Sequence, residues 1–248
     1  VKVPLRTIVL FFTAFGLNTV AHEFAHAATA YSLGIPSTLF HFYANIDFAT
    51  QEPMPRVWVA IAGPLFNLAF GLLCWLVYTK VRFQPARLSW LYLSTMGIGM
   101  FLSNLFSTAF TGDFGTAAML LNLTPNVRAV ITITGLALMA WFLSSMGREL
   151  VKWAPPHSSR TSAILKMIAW PVVLGSILSI LAFLPLPPEF IAAWLAASMF
   201  WIFALAGGLL ASTYAAGSDL RMRPFEYVAA VAVLAMIRLL TSGARLAP

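Results

Sequence analysis

The chain reads as an all-α polytopic membrane protein, with about six or seven transmembrane helices and a short β-hairpin or re-entrant segment after the first. Three observations predict this. Hydrophobic residues fill 60% of the 248 positions and charged residues only 9%, with a mean hydropathy of +0.85. A soluble domain carries about 25% charged residues, so this chain cannot coat a globular surface with polar groups. The apolar residues fall in runs of roughly 20, the length that crosses a ~30 Å hydrocarbon core. The 15 Lys and Arg residues lie mainly between those runs, where they set topology. The net charge of +7 therefore belongs to membrane loops, and no nucleic-acid partner is expected. A single cysteine, Cys74, in an apolar run excludes an intramolecular disulfide and any multi-cysteine metal site.

The first run covers 7–31. Lys2 and Arg6 ahead of it mimic a signal peptide, but the run is long, carries His22, Glu23 and His26, and lacks a cleavage site, so it reads as a retained span. Ser37 to Thr50 is rich in β-branched and aromatic residues, with Ala44-Asn45 near its middle, which predicts the hairpin or re-entrant segment. Strand edges are not tolerated in lipid, so this segment must pack on protein or line a wet cavity. Further spans are expected at 57–79, 88–111, 127–147, 164–184, 189–215 and 226–243. The fifth contains Pro171 and ends in Leu184-Pro185-Leu186-Pro187-Pro188, so neighbours must satisfy the carbonyls that proline frees. Arg238 interrupts the last span. Gly97, Gly99, Gly207 and Gly208 are small positions where helices can approach closely. The readable motifs lie in residues 1–125, a candidate catalytic core; residues 126–248 supply additional helices without a motif. The N-terminus, the 80–87 loop, the 148–163 loop (with Lys166) and the 217–225 loop hold two, three, four and two cations, 11 of the 15. The positive-inside rule places that side in the cytoplasm.

Residues 22–26 read His-Glu-Phe-Ala-His, with no charge other than Glu23 between Arg6 and Asp47. Positions i and i+4 share a helix face, so the two imidazoles can bind one zinc ion with Glu23 beside them to move a proton. The bland alternative is a hydrogen-bonded polar cluster between helices. An ionisable cluster in hydrocarbon is costly and points to function. Catalytic zinc takes three protein ligands and leaves a position for water. Asp113 is the one charge between Leu88 and Asn126, and span parity places it on the same membrane side as His22 and His26. It is the expected third ligand; the alternative is a helix N-cap in Gly112-Asp113-Phe114-Gly115. His41 reads as packed or solvated, and His157 as exposed in a basic loop. Thr13, Asn18, Thr19 and Thr29 either line a water path or bond back to their own helix.

The chain here resembles the site-2 protease family of intramembrane zinc metalloproteases. The resemblance rests on His22-Glu23-Phe24-Ala25-His26, on Ala62-Gly63-Pro64-Leu65-Phe66-Asn67, similar to a Gly-Pro-x-x-Asn signature, and on Asp113, similar to an Asp-Gly motif that supplies the third zinc ligand. It covers roughly residues 7–123. Asn104 matches the family's Asn ahead of that motif, the prolines that usually follow are missing, and Phe114 separates Asp113 from Gly115. The resemblance implies zinc held by His22, His26 and Asp113, a zinc-acidified water with a pKa near ~7, Glu23 as general base, and Asn67 and Asn104 holding the substrate backbone. For both asparagines, inter-helix hydrogen bonding is the alternative. The implied substrate is a transmembrane helix of a client protein, which must unwind before attack and can then pair as an added strand with the 38–48 segment. The implied location is a multi-pass integral membrane protein, in the cytoplasmic membrane if the source is prokaryotic. Family orientation places the zinc near the cytosolic face, opposite to the loop charges. Two other classes compete: a catalytically silent relative that binds metal or clients, and an ion-coupled transporter. Neither Glu23 nor a ligand is lost, and spans four to six hold almost no ionisable groups.

Overall fold

The computed structural model describes residues 4–48, 52–81, 84–212 and 220–247. Among these, five helices are long and apolar enough to cross a membrane: α1 (Leu5–Ser32), α2 (Pro53–Lys80), α5 (Pro125–Val151), the continuous run Arg160–Phe183, and Pro224–Ser242. Helices α3 (Gln84–Ser107) and α4 (Gly112–Leu120) supply a sixth when taken together, bent by 44° at their junction. The molecule is thus an all-α membrane protein with a small sheet.

The helix limits follow local chemistry. Proline, which lacks the N–H that a first turn leaves unpaired, opens α2, α5 and α10 (Pro224–Leu239). Thr124 and Ser159 cap α5 and α6 (Arg160–Ile164) by accepting from Val127 and Ser162. Between α6 and α7 (Trp170–Phe183) the helix widens into a π-turn over Leu165–Ala169. Pro171 cannot donate to the Met167 carbonyl four residues back. The Tyr92 hydroxyl donates to that carbonyl at 2.7 Å, and Thr7 donates to the Lys166 carbonyl at 2.8 Å.

The expected span over 189–215 takes a different form; its last residues lie outside the described ones. It is two short helices, α8 (Pro188–Met199) and α9 (Ile202–Leu209), joined by a tightened turn at Phe200 and Trp201. Trp201 turns into the core against Phe11, ring centroids 5.3 Å apart. Helix α9 is pressed onto α5: a Cβ on Gly207 would strike the Ser144 carbonyl, and one on Gly147 the Ala204 carbonyl. This near-backbone contact fixes the direction of α9 independently of α8. Gly97 also sits at a crossing, where an added Cβ would lie 2.9 Å from both Asn18 Oδ1 and the Asn67 carbonyl. At Gly99 the nearest atom is 3.9 Å away, so close approach does not explain it.

The expected hairpin is present as β1 (Ser37–Leu39) and β2 (Ala44–Ile46); Ala49 and Thr50 lie outside the described residues. A third strand, β3 (Ala244–Leu246), pairs antiparallel with β1 and makes β1 the centre of the order β2-β1-β3. His41, in the turn, is buried, and its Nε2–H donates to the Phe183 carbonyl at the end of α7 at 2.7 Å. At the far end of α1, Arg6 is buried against Glu226 of α10 at 2.7 Å.

Candidate metal centre

The site begins with a stripe along α1. Ala14, Asn18, His22, His26 and Ala30 recur every four residues and all are buried, because that face meets α2. On α2 the answering stripe is Val59, Gly63, Asn67 and Gly71, again every four residues and buried. The two histidines lie over Gly63. A Cβ there would come within 2.7 Å of His22 Nε2 and closer still to His26 Nε2, so only glycine leaves room for the imidazole pair. Pro64 next to it breaks one rung of the α2 ladder and disturbs the turn before it. In that turn, the Val59 carbonyl accepts from His26 Nδ1–H at 2.6 Å. Asn67 holds the other ring, its side-chain amide 3.0 Å from His22 Nδ1. The two ends of an amide have the same shape, and Asn67 Oδ1 is otherwise buried without a partner. With Oδ1 turned to the ring, it accepts from Nδ1–H and leaves the Nε2 lone pair of His22 free for a cation.

Asp113 arrives from the α3–α4 elbow. Gly112 adopts φ +84°, a left-handed conformation that favours glycine. Thr111 occupies the N-cap position, and Asp113 lies in the first turn of α4. Its carboxylate is not a cap but reaches across to α1: Oδ2 is 2.9 Å from His22 Nε2 and Oδ1 is 3.5 Å from His26 Nε2. Arg128 at the start of α5 fastens the elbow, donating to the Thr108 carbonyl at 3.2 Å and to the Ala109 carbonyl at 2.9 Å. Nothing in the sequence around Arg128 marks this local role, because both carbonyls come from the preceding turn.

The chemistry of this donor set fits a metal. The two Nε2 atoms are 3.1 Å apart, and one atom from each of His22, His26 and Asp113 lies within 4.8 Å of the others. With both Nδ1 atoms engaged elsewhere, three lone-pair donors face one point. Such donors repel unless a cation lies between them. Metal bonds of ~2.1 Å in a tetrahedral site hold ligand atoms about 3.4 Å apart, close to the separations seen. His22, His26 and Asp113 thus form a group able to hold a metal ion.

Glu23 lies next to His22 on α1. It is part-buried and lines a cavity of about 380 Å³ that Asn104 also lines. Ala44 of β2 lies next to its carboxylate. Asn104 lies near the elbow, its Oδ1 3.7 Å from where a Gly112 Cβ would be, and its side-chain amide donates to the Met100 carbonyl of its own helix at 3.2 Å. Asn67 is not on that wall: it is fully buried beneath His22, which makes it a support for a ligand. Thr19 lines the cavity as well, whereas Asn18 donates back to the Ala14 carbonyl of its own helix at 2.8 Å. His157 is exposed. No protein-family model, curated protein or solved structure matches the chain.

Proposed function

We propose that this membrane protein is an intramembrane zinc metalloprotease of the site-2 protease type, which hydrolyses a peptide bond in or near a transmembrane helix of a client protein. One observation carries the reading. Two helical imidazoles and a carboxylate from a distant element converge on one point, and a second carboxylate, Glu23, stands beside them on the wall of a cavity. Two histidines and one carboxylate are a ligand set of catalytic zinc sites.

His22, His26 and Asp113 would hold the ion, with Val59 and Asn67 fixing the two rings. Zinc, when bound, supplies a Lewis acid and acidifies a water molecule. Glu23 takes the proton of the attacking water and delivers it to the leaving amine. The Asn104 amide, one N–H of which is spent on the Met100 carbonyl, offers its remaining groups to the substrate backbone. The unwound substrate pairs with β2. Within the hairpin, Phe40 N–H bonds the Tyr43 carbonyl and Asp47 N–H bonds the Pro36 carbonyl. By antiparallel alternation, Ala44 and Ile46 then point their backbone groups outward. Among the described residues no strand occupies that edge, and it starts at Glu23. Strand addition is an established mode of peptide capture.

The test uses the purified full chain and a transmembrane reporter. Glu23→Ala should abolish cleavage and leave zinc content, read by elemental analysis, near one per chain. Asp113→Ala should lose both. Cleavage by Glu23→Ala at the parent rate would overturn the proposal.

A further inference from the structure

The 380 Å³ cavity beside Glu23 has features that hydrolysis alone does not require. Its walls come from α1, α3, α5 and the α8–α9 segment, and are dominated by apolar side chains such as Phe15, Met96, Met100 and Leu143. Polar groups are few, and they include the two substrate-facing candidates, Glu23 and Asn104. Phe42 of the hairpin turn and Phe190 of α8 both line it, their ring centroids 5.2 Å apart in an edge-to-face arrangement. Gly99 also lies on the wall, where an added Cβ would meet nothing closer than Leu143 at 3.9 Å. A glycine that no neighbouring helix requires keeps this space open.

Given the proteolytic reading, on which this step rests, we propose that the cavity is a specificity pocket for one bulky apolar side chain of the client, leucine, methionine or phenylalanine, next to the scissile bond. A chain laid along the β2 edge points alternate side chains to opposite faces. The residue level with Glu23 and on its side must then enter this space. Its volume lies near the small end of ligand pockets, enough for a large side chain and too much for alanine to fill. The side chain comes from lipid and not from water, so hydrophobic transfer contributes little. Selection comes from dispersion contacts that a small residue would leave unmade. Loss of a few methylene groups in such a pocket costs tenfold or more in rate.

The experiment first maps the scissile bond in a transmembrane reporter by mass spectrometry, then places Ala, Leu and Phe in turn at each flanking position. The parent chain should prefer Leu or Phe over Ala by about tenfold or more at one position. Gly99→Leu, whose Cβ has no backbone atom of a neighbouring element within 4 Å and whose side chain would take up cavity space, should erase or reverse that preference and keep zinc content. An unchanged preference in Gly99→Leu, or no position with a size preference in the parent, would overturn the pocket while leaving the protease reading intact. If the parent cleaves no reporter, the protease reading fails by itself. The pocket is then judged by a photoreactive benzophenone side chain at the same reporter positions: adducts on Met96, Met100 or Leu143 that vanish in Gly99→Leu support it, and their absence overturns it.

Discussion

His22 and His26 are legible in the sequence because their relation is local: two imidazoles one helical turn apart need no knowledge of the fold. Gly63 and Asn67 are visible as a motif, but their work depends on which face of α2 meets α1, and that register is tertiary. Gly63 gives room and Asn67 gives orientation, and each role makes a prediction. Gly63→Ala should reduce bound zinc at least tenfold with helicity by circular dichroism unchanged, because its Cβ would occupy the space of the imidazoles and overpacking costs about 1–3 kcal/mol. Asn67→Ala should weaken zinc by about 10–100-fold, the usual cost of losing a group that orients a histidine ligand. Asn67→Asp should retain most of the affinity, since a carboxylate accepts from His22 Nδ1–H as an amide oxygen does. A loss as deep as that of Asn67→Ala would mean that Asn67 donates to the ring. Metal titration of the three variants decides it.

At the scale of elements, the α3–α4 elbow is the part on which the third ligand depends. A guanidinium spanning two carbonyls is worth about 1.5–3 kcal/mol per bond to the charged group, so Arg128→Ala should let Asp113 drift, lowering zinc affinity by about tenfold and the thermal midpoint with it. Arg128→Lys should recover only part, because a point charge cannot span both carbonyls as the guanidinium fork does. Competition against a chelator, followed by a melt in detergent, measures both. The span pattern reveals the long helices because each is bounded by proline, polar caps or loop cations. It does not reveal the break between α8 and α9. That stretch is apolar apart from Glu189 near its start and Ser198, so its composition carries no breaker where Trp201 turns inward and Gly207 meets α5. Strand β3 is missed for a different reason: three residues hold no periodicity, and their partner lies near the other end of the sequence.

On the scale of the whole molecule, residues that carry no motif also pack on the first helix. Helices α7 and α10 pack on α1, and Glu226 closes over Arg6, with side chains only 1% and 3% exposed. Removing one partner of a buried ion pair is strongly destabilising, so Glu226→Ala should cost about 3–5 kcal/mol of stability. His22 lies about 24 Å further along α1, so zinc content per folded molecule should not change; thermal unfolding with parallel elemental analysis checks both. The sheet carries a consequence of another kind. Strand β1 receives one partner from the turn that follows it and the other from residues 244–246. Synthesis runs from the N-terminus, so His22, Glu23, His26 and Asp113 all exist long before β3 does. The bracing of the hairpin beside Glu23 is therefore among the last events of assembly, and a nascent chain holds its full set of reactive groups while the edge that would align a peptide lacks its support.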